Sequence, residues 1–132
     1  MTIMDLYNNG HRLPTNELIE IAKGQIGVIM RERAADPYRA KCYIDNIFQT
    51  FMIASGDPTF DAYRFYDACG ANHKRYDYSA FVEWCRQAQR IDFISIIADH
   101  FHEETKAVQL AVCALAVLAC VCDGKVNRAE HA

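Results

Sequence analysis

The chain has 132 residues, 52% of them apolar and 23% charged, a composition close to the globular average and far from that of disordered chains. That length fits one domain, since domains run to roughly 100–150 residues and a second core could not be fed from the remainder. Fourteen Lys and Arg against 17 Asp and Glu leave a net charge of −3, which excludes the overall basic field that nucleic-acid binding draws on, so DNA or RNA is not expected as the main partner.

From the start of the chain, Met1 to Gly10 carries Asp5 and Asn8-Asn9 where a signal peptide needs a basic end and an apolar run, so export is not expected. A helix is predicted to open after Pro14-Thr15, with Thr15 as its N-cap, and to carry Leu18, Ile19, Ala22, Ile26, Ile29 and Met30 as far as Asp36-Pro37. Gly24 and Gly27 weaken it. The clearest helical period follows from Ala40 to Met52, where Ile44, Ile47, Phe48, Phe51 and Met52 form one stripe. After turns at Gly56-Asp57-Pro58 and Gly70-Ala71-Asn72-His73, a helix capped by Asp77 carries Phe81, Trp84, Cys85 and Ala88, and a shorter one carries Phe93, Ile94, Ile97 and Phe101. The longest apolar run, Leu110 to Cys122, has about 13 residues where a bilayer span takes about 20, so it reads as a buried helix rather than a membrane segment. It ends at a turn, Asp123-Gly124. Period-2 alternation is nowhere sustained, and the fold class expected is all-α. The six cysteines, Cys42, Cys69, Cys85, Cys113, Cys120 and Cys122, are too sparse for a disulfide scaffold and read as reduced thiols of a cytoplasmic protein.

Two stretches echo one another. Ile47 to Asp61 and Ala114 to Glu130 each run from an apolar helix through small residues and an Asp/Gly turn to an acidic residue opening a further helix. The two turns stand about 66 residues apart, a separation suited to two helical hairpins related by a pseudo-two-fold rather than to a solenoid. With Ala107-Val108-Gln109-Leu110-Ala111-Val112, Leu118 to Val126 and Glu130 in view, the chain resembles the tellurite-resistance TerB family, in which long apolar helices end in Asp-Gly turns. By the same resemblance, Phe60 to Cys69, Ser79 to Gln87 and Phe93 to Ala98 correspond to short helices joining two hairpins. The likeness covers roughly Arg39 to Glu130. Residues 37–132 are then the TerB-like core, and residues 1–36 an N-terminal extension with one helix. The first turn reverses the order to Gly56-Asp57, with Asp61 at the acidic position. The resemblance implies a non-enzymatic binding module of stress response or defence, acting with protein partners and responsive to metal. A different class, a small acidic inhibitor such as an immunity or anti-defence protein of a mobile element or phage, fits the same composition.

Candidate ligands for a divalent cation, Ca or Mg, are Asp123, Asn127 and Glu130 around one glycine turn, and Asp57 and Asp61 around the other, since these cations take oxygen ligands. Each set also reads as helix capping, Asn127 to Glu130 as a capping box and Asp57 as an N-cap with Pro58 at N1. His100 and His102 lie two residues apart, which on a helix points them to different sides and argues against a shared metal. A partner-binding patch is expected from Tyr63, Arg64, Tyr66, Arg75, Tyr76 and Tyr78, because tyrosine beside arginine is the composition of interaction hot spots; aromatic packing in the core is the competing reading. No Cys–His pair can be placed from sequence, so neither a catalytic residue nor a resident cofactor is expected. In a TerB-like core a further helix after Glu130 would cover the hairpin ending at Cys122. Its place is expected to be taken by a partner helix, a second copy in a homodimer, or Leu18 to Met30 folding back.

Overall fold

The computed structural model describes residues 3–53, 56–87 and 103–122. All regular structure among the described residues is helical, with no strand. In chain order the elements are α1 (Ile3–Asn9), a 3-10 turn (Gly10–Arg12), α2 (Thr15–Glu32), α3 (Pro37–Met52), α4 (Phe60–Ala68), α5 (Tyr78–Arg86) and α6 (Lys106–Val121). No helix among these residues is long and apolar enough to cross a membrane.

The central element is α6, predicted from the apolar run. Val108, Ala111, Leu115 and Leu118 are wholly buried, at spacings of three and four that keep them on one face. Against it lie α1, α2 and α3, while α5 packs on α3 and α4 packs on α2 and α5. The α3 stripe behaves as its period requires: Ile44, Ile47, Phe48 and Met52 are buried and Phe51 sits at the margin. Around Phe48 an aromatic cluster joins α3 to α4 and α5, with Tyr66 stacked on Phe81 at 4.5 Å and edge-on to Phe48 at 5.6 Å. Such pairs add roughly 0.5–1.5 kcal/mol each beyond their buried area.

Caps set the helix starts. Asp36 accepts from the Arg39 N–H with Pro37 at the first helical position, Thr59 accepts from Ala62, Asp77 from Ala80, and Thr105 from Val108. Two starts differ from the sequence reading. The residue at the N-cap of α2 is Pro14, so Thr15 is already helical, and α4 is capped by Thr59 rather than Asp57. The turns come where glycine permits them, at Gly56 (φ 119) and Gly70 (φ 85).

The largest departure is in the first 36 residues. Two helices and a 3-10 turn stand where one helix was expected, and they are part of the core: Leu6, Leu18, Ala22 and Ile29 are buried. Leu18, Ala22 and Ile29 recur on one face of α2 and pack it along α6, so the apolar side of α6 is covered by the chain's own N-terminal helices. Gly10 allows the close approach, because a Cβ there would meet Val121 Cγ2 at 2.9 Å. At the other end of α2, Arg33 stacks over the Tyr43 ring at 4.6 Å and pairs with Glu104, tying α2 to α3 and to the lead-in of α6.

Candidate functional site

The carboxylate of the first acidic turn is paired within the chain. Asp57 is gripped by Arg86 of α5 through two parallel bonds, Nε to Oδ1 at 3.1 Å and Nη2 to Oδ2 at 2.6 Å. The guanidinium holds this carboxyl below the usual carboxylate range. Asp57 is thus a tether between the turn and α5, which corrects its reading as a helix cap, the cap of α4 being Thr59. Asp61 lies elsewhere, in the first turn of α4, where a carboxylate suits the helix dipole. With Arg64 it lines a cleft of about 360 Å³ that also takes in Thr15 and Asn16. No group of three or more His, Cys, Asp or Glu side chains suited to a metal occurs among the described residues. Asp123, Asn127 and Glu130, like His100 and His102, lie outside the described residues.

The tyrosine patch divides. Tyr66 is wholly buried, and its place at the centre of the aromatic cluster corrects its reading as a partner-binding residue: a helix position facing α3 and α5 has no route to solvent. Tyr63, Tyr76 and Tyr78 are half-buried and spend their polar atoms within the chain. The Tyr63 hydroxyl donates to the Tyr76 carbonyl at 2.7 Å, and that of Tyr78 to the Pro58 carbonyl at 3.1 Å. Tyr76 stacks on Trp84 at 5.2 Å. Arg64 and Arg75 are exposed, and Arg75 sits in a left-handed conformation (φ 60).

Two further features emerge from the packing. The first is a polar cluster inside the fold. Asp45 of α3 is 2% exposed; it accepts from the Tyr66 hydroxyl at 3.1 Å through one oxygen, and its other oxygen faces His73 Nδ1 in the loop between α4 and α5. Burial drives the Asp45 carboxyl up to about 7 and pulls His73 down. Burial also pushes the Cys69 and Cys85 thiols up to about 12, so neither supplies a thiolate at neutral pH. A signal for Asp45 was present, since it is an acid set among the buried positions of α3, beside Ile44 and one turn from Gln49.

The second feature is a surface groove of about 890 Å³ between α1, α2 and α6. Met4 and Leu6, Ile21, Gly24 and Val28, and Leu110 line it, with Glu20 and Gln25 as its polar members. Met4 is 63% exposed and Leu110 52%. Gly24 contributes open space: a Cβ built there meets nothing within 4 Å. A glycine inside a helix costs about 1 kcal/mol relative to alanine, and here no steric demand from the described residues accounts for it.

In comparisons with known proteins, no family model, curated protein or solved structure matches this chain.

Proposed function

We propose that this chain is a non-enzymatic binding module that takes an amphipathic helix of a protein partner into the groove between α1, α2 and α6. The observation carrying the reading is the groove itself: an open trough about 890 Å³ in volume, floored by α2 and α6 at one-turn spacings, Ile21, Gly24 and Val28 facing Ala107, Leu110 and Ala114. Helix-in-groove recognition uses this arrangement, with anchors one turn apart entering a hydrophobic trough. Small-molecule sites of similar volume add several convergent polar groups, whereas Glu20 and Gln25 are the polar residues lining this one. Glu20 is already near Lys23, at 3.9 Å. Gly24 fits the same reading, because a residue without a side chain lets a partner backbone come close.

The wider proposal keeps the resemblance to TerB. Two helices of equal length, α3 and α6, pack on one another, which is compatible with two hairpins about a pseudo-two-fold, and a cytoplasmic role in stress response or defence follows from the resemblance alone.

The test is selection of helical peptides from a displayed library on the intact protein, followed by affinity measurement on variants. Leu110→Asp alters an exposed position and should abolish binding while the circular dichroism and melting curve stay near those of the parent. Selected peptides that bind Leu110→Asp as tightly as the parent would overturn the groove as the binding site.

A further inference from the structure

We propose that Asp45, Tyr66 and His73 form a one-proton latch that docks the α4–α5 loop on α3 and loosens it when the Asp45–His73 pair holds either no proton or two. The argument begins with charge and burial. Asp45 is 2% exposed, the Tyr66 hydroxyl donates to one of its oxygens at 3.1 Å, and His73 Nδ1 faces the other. With one proton shared between carboxyl and imidazole the pair is neutral overall, whichever atom carries it. Without that proton it is a net anion, and with a second a net cation. Either charge must be held where water is largely excluded, at a cost that a neutral pair avoids.

The loop has the build of a part that moves as a unit. The Asn72 side chain bonds both ways to Tyr76, donating to its carbonyl at 2.8 Å and accepting from its N–H at 2.8 Å, and it also donates to Asp67 at 3.0 Å. Arg75 holds an unfavourable left-handed backbone (φ 60) within that turn. Outside the turn, the loop is fastened by His73 on Asp45 and edge-on to the Tyr38 ring of α3 at 6.2 Å, by Tyr76 stacked on Trp84 and by the Tyr63 hydroxyl on the Tyr76 carbonyl. Of these fastenings, His73 on Asp45 is the one that titrates near neutrality.

Burial sets the direction of each limb, and neighbouring charges modulate it. Lys41 of α3 and Lys74 of the loop both oppose a positive charge on His73, and Lys74 also favours the Asp45 carboxylate, less strongly than burial disfavours it. From α4 and α5, Tyr66, Cys69 and Cys85 are all pushed up by burial, well clear of neutral pH; Lys23 of α2 acts on Cys69. For Asp45, raised by burial to about 7, the folded state binds more protons than the unfolded one, so its stabilising contribution is lost as pH rises through about 7. For His73, lowered by burial, the folded state binds fewer, so its contribution is lost as pH falls through that lowered value. The latch is therefore closed in a window bounded by acid release through His73 and alkaline release through Asp45.

Trp84 is the single tryptophan and stacks on the loop through Tyr76, so its fluorescence reports docking. Titrated from about pH 4.5 to 9, the intact protein should show a two-limbed profile. Asp45→Asn should remove the alkaline limb and keep the acid one, and His73→Gln should do the reverse. A flat parent profile, or two limbs that survive in both variants, overturns the latch. Should either variant fail to fold, carbon NMR of the parent decides: Asp45 titrating above and His73 below their ordinary values of about 3.9 and 6.5, with loop resonances of residues 70–77 shifting at both steps, supports it. Titration in the ordinary order, or a loop silent at both steps, refutes it.

Discussion

Two leucines on the same helix separate the core of this protein from its proposed binding surface. Leu118 of α6 is wholly buried and Leu110, two turns earlier, is 52% exposed in the groove. Leu118→Ala removes buried carbon and leaves a cavity that surrounding helices close only in part, a change that costs about 2–5 kcal/mol. Against a total stability of roughly 5–15 kcal/mol, that is a large fraction, and for a domain of this size it lowers Tm by about 7–18 °C. Leu110→Ala removes the same atoms from a half-solvated position and should cost under about 1 kcal/mol. Urea denaturation followed by far-ultraviolet circular dichroism measures both, with equal slopes expected because neither change alters the surface exposed on unfolding. Equal losses in the two variants, or a Leu118→Ala loss below about 1 kcal/mol, would refute the placement of α6 at the centre.

The glycines make a second pair of opposite sign: Gly24→Ala, with open space at its Cβ, should stabilise by about 0.5–1 kcal/mol while weakening helix binding, and Gly10→Ala, with Val121 Cγ2 at 2.9 Å, should destabilise. Paired thermal melts and peptide affinities check both. Thr59→Ala should cost about 1 kcal/mol by leaving the first turn of α4 without the acceptor for Ala62 N–H, read from urea curves. Asp57→Asn weakens an exposed ion pair with Arg86, so any drop in Tm should shrink as salt rises. Any effect of added calcium on the melt should be the same in parent and variant, because Asp57 is engaged by Arg86.

What the sequence disclosed follows from what is local. The α3 stripe, the α6 run and the Asp77 cap are patterns within one or two turns of chain, and each predicts its own burial or bond. Asp57-Pro58 shows the limit: it has the form of a helix start, yet its carboxylate is taken by Arg86, 29 residues away, and the cap falls to Thr59. His73 likewise reads as the first of a basic run with Lys74 and Arg75, but the turn at Gly70 points it inward to Asp45. The groove depends on three helices meeting, which no single segment encodes. Its trace in the sequence is Gly24, a weakness in α2 whose consequence becomes visible once α6 lies alongside.

The central claim is that the face formed by α1, α2 and α6 receives a helix. Site-specific photo-cross-linking in living cells tests it most directly, with the reactive side chain placed at Leu110 in the groove and, as a control, at Tyr38, which is 66% exposed on α3. The account predicts a discrete adduct from Leu110, lost when Met4→Asp is added, whose cross-linked peptide is an amphipathic helix, and none from Tyr38. An adduct of twice the chain's mass would place that helix in a second copy. Equal labelling from both positions, or a Leu110 adduct indifferent to Met4→Asp, would contradict the claim.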